Sequence, residues 1–375
     1  MSITTCSKGV WELDQIYAKV NADRYVTYSN ANDPGTLWSW GDNNQGQLGD
    51  GSRIHRSSPV QVPGTQWNQI SSGQHTVATK SDGTLWAWGY NNQGQLGDGT
   101  VIAKSSPVQV PGTQWNKISS SYGHTVATKT DGTLWSWGDN IHGKLGDGTS
   151  VHRSSPVQVP GTQWTQISSG FDHTLATKSD GTLWAWGFNF SGQLGDGTSI
   201  DRSSPVQVPG TQWNQITGGY AHTVATKSDG TLWAWGSNDR GRLGDGTTVP
   251  TSSPIQVPGT LWIRASAGGF HTIATKSDGT LWSWGYNYQG QLGQNNQIHR
   301  SSPVQVPGTQ WNQITSGYYH TIATKSDGTL WGWGSNGNGN LGDGTIDSKF
   351  SPVQIPGTQW SKITSGYIHT VAKKV

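Results

Sequence analysis

The chain has 375 residues, a net charge of +2 and only 12% charged residues, about half the share usual in globular proteins. Its densest basic run is Lys373-Lys374, which argues against a nucleic-acid partner, because phosphate recognition needs a basic stripe. The lone cysteine, Cys6, excludes an intrachain disulfide and a cysteine-rich zinc site. No stretch approaches the ~18 apolar residues of a membrane span. Residues 1–15 lack the apolar segment of a secretory signal, so none is expected. With 53 Gly the chain is too glycine-rich for a helical fold, and with 22 Trp too aromatic for a disordered one.

Residues 1–32 are read as an N-terminal arm that matches the pattern that follows only poorly. Val10, Leu13, Tyr17 and Val20 recur at helical spacing, with Ser7 placed to cap a short amphipathic helix. Arg24–Tyr28 reads as a strand. The string Gly9-Val-Trp-Glu-Leu-Asp-Gln-Ile-Tyr-Ala-Lys19 resembles leaders of phage structural proteins. That resemblance implies attachment, self-association or docking on a scaffold protein through Trp11, Leu13, Ile16 and Tyr17.

Residues 33–375 are a tandem repeat. Gly-Thr-Leu-Trp-x-Trp-Gly begins its Trp pair at Trp38, Trp86, Trp135, Trp184, Trp233, Trp282 and Trp331, spaced by 48 residues once and 49 five times. Pro-Gly-Thr-x-Trp adds a third Trp to each of seven units, and only Trp11 is left over. In the second unit a short run around Trp67 and Ile70 precedes an alternating strand, His75–Lys80. Asp82-Gly83 supplies the positive φ of a hairpin turn. Thr84–Gly89 is a third strand, and Ser106–Val110 a fourth after a glycine-rich loop. Four antiparallel strands per unit predict an all-β, seven-bladed β-propeller. The last unit stops after its second strand and the first starts at its third. The first blade is therefore expected to be closed by both termini, from residues 35–62 and about 358–373.

The string Gly317-Tyr-Tyr-His-Thr-Ile-Ala-Thr-Lys-Ser-Asp-Gly-Thr-Leu-Trp-Gly-Trp-Gly334, with Gly-Gln-Leu-Gly at Gly94 to Gly97, resembles the regulator of chromosome condensation repeat. The resemblance implies a seven-bladed propeller. It also implies a choice of functions, among them nucleotide exchange on a GTPase, nucleosome docking, light sensing and β-lactamase inhibition, between which fold does not decide. Units of 48–49 residues leave no room for an exchange wedge. No Trp precedes the His-Thr pairs, as the light-sensing resemblance would require, so the repeat Trp are read as core.

Few residues suggest chemistry. His75, His124, His173, His222, His271, His320 and His369 recur once per unit, and each imidazole is expected to bond backbone at its own turn rather than hold a metal. Gly138 to Leu145 partly matches a phosphate loop but has Leu145 where Ser or Thr must hold magnesium. The Asp-Gly pairs from Asp50-Gly51 to Asp343-Gly344 lack calcium-loop spacing and are read as turns. With Glu12 the only glutamate, a paired-Glu glycosidase is excluded. No enzyme, cofactor or metal is expected.

The units differ on one face only. Hairpins between strands two and three, and the links between blades, are nearly constant. Turns between strands one and two, and between three and four, vary and carry Tyr90, Tyr122, Phe171, Phe188, Tyr220, Phe270, Tyr286, Tyr318, Tyr319 and Tyr367. Aromatic anchors of this kind suit a protein or a glycan, and this is the expected binding face. The leading expectation is a non-catalytic structural and binding protein of a phage virion. The other reading is a cytoplasmic protein-docking regulator of GTPase or chromatin type, or a protein inhibitor.

Overall fold

The computed structural model describes residues 35–374. The expectations placed on residues 1–32, with Trp11, Leu13, Ile16 and Tyr17, lie outside the described residues. Twenty-eight strands form seven four-stranded antiparallel sheets. Blade 1 joins Leu37–Gly41 and Arg56–Val62 to Trp360–Ser365 and His369–Lys374. Its seam is a full antiparallel ladder, from Leu37 opposite Lys373 to Gly41 opposite His369. Blade 2 consists of Trp67–Ser72, His75–Lys80, Leu85–Gly89 and Lys104–Val110. Blades 3 to 7 repeat it over residues 115–159, 164–208, 213–257, 262–305 and 311–355. Seven-bladed closure from both termini is thus observed. Among the described residues no helix is long and apolar enough to cross a membrane.

Both faces of each sheet are buried, because blade packs on blade. Leu37 and Val62 of blade 1 meet Trp67, Ala78 and Trp88 of blade 2 in one cluster, and the other junctions repeat this. In blade 2 the three indoles meet at steep angles, with Trp67 lying 6.4 Å from Trp86 and 5.8 Å from Trp88, and blades 3 to 7 repeat this. The constant hairpin explains its own sameness. The Lys80 ammonium lies 4.9 Å from the Trp67 ring and 4.6 Å from that of Trp86, a cation–π contact worth about 0.5–1 kcal/mol when exposed. Asp82 accepts the backbone N–H and the hydroxyl of Thr84, and Thr84 in turn accepts the Trp86 indole N–H at 3.0 Å. Gly83 supplies φ +79° for the turn. Lys, Asp, Gly, Thr and Trp are therefore all committed to structure on that face.

The histidines do not bond backbone at their own turns as expected, although His124 Nδ1 meets the Ser121 hydroxyl of its own turn at 3.0 Å. Each Nε2 meets the Oγ1 of the threonine after the histidine of the next blade, at 2.5–3.3 Å: His75 meets Thr125, His124 meets Thr174, and so on around to His369 and Thr76. Every one of these threonines gives its own proton to a carbonyl of the preceding blade, as Thr223 does to Gln193 at 2.7 Å. With that proton committed, Nε2 must be the donor, and it is burial that keeps the imidazole neutral. In six of the seven junctions the same carbonyl also accepts an indole N–H, such as Trp235 on Gln193 at 3.0 Å.

The imidazoles are fully buried, and burial pushes the pKa of His75, His173, His271, His320 and His369 down to about 3, with His124 and His222 also well below the usual value. Depressed pKa values in the fold mean that neutral histidine contributes its full stability above pH 6.5. That contribution falls as pH drops from 6.5 toward 3, by roughly 1.4 kcal/mol per pH unit and imidazole. A few such groups together rival the ~5–15 kcal/mol stability of a domain. Cooperative unfolding is expected above about pH 4, before the carboxylates titrate; circular dichroism at fixed temperature checks it, and undiminished urea resistance at pH 4 would contradict it. Thr223→Val leaves the His173 N–H without its acceptor and is expected to cost about 1–3 kcal/mol. Urea denaturation measures this, and a shift under about 0.5 kcal/mol, the range of an ordinary surface change, would count against the relay.

Candidate functional site

The first strands of the blades line a central channel with small residues, including Ser169, Gly218, Ala267 and Ser316. The next position is glycine in most blades for a steric reason: a Cβ on Gly170 would lie 2.2 Å from the His173 ring. The residue after it projects over the channel mouth. It is Tyr122, Phe171, Tyr220, Tyr318 or Tyr367 in five blades and Gly269 in blade 6. Blade 2 lacks this residue, and this loss is the origin of its 48-residue spacing.

The five rings close a collar. Centroids are 4.2 Å apart from Tyr122 to Phe171, 4.4 Å from Phe171 to Tyr220 and 5.9 Å from Tyr220 to Tyr318. Tyr318 and Tyr367 follow at 4.1 Å, and Tyr367 returns to Tyr122 at 5.7 Å, across blade 2. Gly269 makes the closure possible at blade 6, since a Cβ there would lie 2.7 Å from the Tyr318 ring. Phe270, Tyr319 and Tyr286 extend the collar outward: Phe270 and Tyr319 stack at 5.5 Å, and Tyr286 lies 5.9 Å from Tyr319. Burial and the neighbouring Tyr318 and Tyr286 push the Tyr319 hydroxyl up to about 12. Burial also raises Tyr318 and Tyr367, which share a hydroxyl hydrogen bond. The collar is therefore uncharged at neutral pH.

Two predicted residues stand apart. Phe188 stacks with Phe190 at 6.4 Å and with His142 at 4.5 Å in a separate patch on blades 3 and 4. Tyr90 lines a cavity beside the collar, together with Tyr122 and Tyr367. The other eight form one connected surface.

Charged groups just outside the collar escaped the sequence reading. Lys144, within the partial phosphate-loop match, is 1% exposed and bonds Asp139 at 2.7 Å and also Asp172 of the next blade. Arg242 occupies the same repeat position two blades on. Its guanidinium lies 4.9 Å from the Phe270 ring, and burial lowers its pKa to about 10. The Asp-Gly carboxylates are turn residues as expected, and more: Asp50 accepts the Ser52 N–H and hydroxyl and pairs with Arg56 at 3.1 Å. These bonds outweigh burial and lower its pKa.

The reading also missed exposed apolar residues at the loop tips. Phe190 and Tyr288 are 78% and 58% exposed. Ile54, Ile102, Val151, Ile200, Val249 and Ile298 place one exposed aliphatic on each of six blades. Their signal was positional: each follows a buried loop asparagine by eleven residues, and that asparagine bonds its carbonyl, as Asn91 does Ile102 at 3.1 Å. Among the described residues, no group of three or more His, Cys, Asp or Glu side chains is placed to hold a metal.

Comparison with known proteins places this geometry in context. Residues 114–312, more than half of the chain, match the RCC1-like domain. Residues 34–79, 82–128 and 327–372 match the regulator of chromosome condensation (RCC1) repeat, and residues 311–340 a second description of that repeat. Human WBSCR16 is similar in structure at 22% identity and a TM-score of 0.83, over 91% of this chain and 99% of that one. Yeast RCC1 (Prp20), solved bound to Kap60, is similar at 20% identity and 0.82, over 91% and 89%. Prp20p of Saccharomyces cerevisiae, in a study of its binding to Gsp1p and histones, is similar at 21% identity and 0.82, over 92% of each chain. These likenesses show a shared fold. No curated protein matches by sequence. The seven repeats, the closed ring of blades and the domain match together show that the chain belongs to the RCC1 repeat family, as an RCC1-like propeller.

Proposed function

We propose that the protein is a non-catalytic docking scaffold whose variable face binds a protein partner through the aromatic collar. The observation that carries this is the contact of eight aromatic side chains from six blades at the centre of one face. A large, rigid, uncharged patch with a polar surround has the composition of an interaction hot spot. Among the described residues the lysines, aspartates and threonines of the opposite face are engaged in the blades themselves. Family membership favours this reading: the yeast relative Prp20 has been solved with the protein Kap60 bound. The virion reading rests on residues 1–32, and the family match lends it no support. Loops free of structural duty would vary by drift alone, but drift has no reason to bring aromatics from neighbouring blades into contact.

The test is capture of the natural partner by crosslinking, followed by affinity measurement with purified components. Phe270→Ala, Tyr318→Ala and Tyr319→Ala combined are expected to weaken binding by at least about 2 kcal/mol, some thirtyfold. Leu261→Gln, on the opposite face, is expected to change nothing. Thermal melting of the triple variant establishes that its blades remain folded. Undiminished affinity in a folded triple variant would overturn the proposal.

A further inference from the structure

Two units carry aspartate directly after Trp-Gly, Asp42 in blade 1 and Asp139 in blade 3, and they make an internal comparison. Each carboxylate lies next to a histidine from its own loop, His55 at 3.1 Å and His152 at 3.2 Å. In both, that histidine Nδ1 accepts a backbone N–H, from Asn43 and Asn140 at 2.9 Å. The histidine is thus common to the two sites and is not what separates them.

What separates them is the cation. Asp139 has the buried Lys144 ammonium, shared with Asp172 of the next blade. At Asp42 the Lys144 position is Gln47 and the Asp172 position is Gln74. Asp42 is 4% exposed and accepts amide N–H groups from Asn44, at 3.0 Å, and from Gln47. Among the described residues no lysine or arginine pairs with it. A buried carboxylate without a lysine or arginine partner is costly to keep charged, and burial raises its pKa against the opposing effects of His55 and the amide donors.

The residue missing from blade 2 opens space at the same spot. A cavity of about 280 Å³ lies between blades 1 and 2, lined by Asp42, Gln47 and Gln74 and walled by Tyr90, Tyr122 and Tyr367. Carboxylate and aromatic faces together are the chemistry that holds an organic cation. The fold itself places cations at this repeat position twice, as Lys144 between carboxylates and as Arg242 over Phe270.

The geometry points to the Asp42 cavity as a binding site for an alkylammonium group, delivered as a lysine side chain of the protein that docks on the collar. This rests on the reading of the variable face as a protein-docking surface and names one anchor of the partner. Gln47 is the position where an internal lysine would fill the site, as Lys144 does in blade 3. Tyr122 and Tyr367 belong to both collar and cavity, so a partner seated on the collar has the cavity at its edge.

The test uses the full chain and small probes, so its outcome does not depend on a partner being known. Binding of N-acetyl-lysine methylamide, and of N-acetyl-norleucine methylamide, which keeps the four-carbon stem and lacks the ammonium, is followed by NMR at low ionic strength. The lysine probe is expected to bind at least tenfold more tightly than the norleucine probe and to shift signals of Gln74 and Tyr90. Asp42→Asn and Gln47→Lys are each expected to weaken the lysine probe at least tenfold. Gln47→Lys should also keep or raise the melting temperature, which separates filling the site from unfolding it. Equal binding of both probes, or unchanged lysine affinity in folded Gln47→Lys, would overturn the site. Binding of the lysine probe with no effect of Gln47→Lys on the captured partner would overturn its use by the partner, while the collar reading would still be judged by the triple variant. A free amine that binds more tightly than any lysine peptide would likewise overturn the protein source.

Discussion

Every junction between blades depends on one three-part hydrogen bond: imidazole to threonine to carbonyl. The threonine hydroxyl has a single proton, and spending it on a carbonyl of the preceding blade forces the neighbouring imidazole to donate. A histidine that donates through Nε2 and is shielded from water must stay neutral. From this follow the glycine before it, which leaves room for the ring, and the constancy of the His-Thr pair in all seven units. The first two and last two described strands meet within blade 1, and its junctions with blades 7 and 2 use the same relay, through His320 with Thr370 and His369 with Thr76. The relay therefore runs through all seven junctions of the ring.

This frame sorts the surface into two kinds. On one face the hairpin residues are needed where they are: lysine between two indoles, aspartate on threonine, threonine on tryptophan. On the other, the loop asparagines hold the backbone from beneath, as Asn91 does through Leu96 and Ile102, and leave the outward side chains free to differ. Aromatics, the buried cations Lys144 and Arg242 and the exposed aliphatics all collect on that free face. The collar is thus carried by a rigid ring rather than by mobile loops, which limits the entropy lost when a partner docks.

Much of the architecture was legible because it is written as spacing. The Trp pairs, the Asp-Gly turns and the truncated first and last units led to seven blades with a shared first blade, as observed. The histidine partners were not legible, because the threonine that receives His124 lies fifty residues away, at Thr174, and only a ring brings the two together. The ten aromatics could be assigned to one face by strand parity. That five of them touch in a circle, while Phe188 and Tyr90 do not join it, depends on radial position, which repeat alignment does not encode. The lost residue of blade 2 was visible as a spacing of 48, but its meaning required knowing that the residue's side chain would have stood over the channel.

The most direct test of the account is the tautomer of the seven buried histidines. Long-range 1H–15N correlation spectra of the imidazoles at pH 7 are predicted to show all seven neutral, with the proton on Nε2. They should remain so on titration for as long as the protein stays folded. Protonation of the buried set without loss of structure, or a proton on Nδ1, would contradict the relay on which the ring and everything it carries depend.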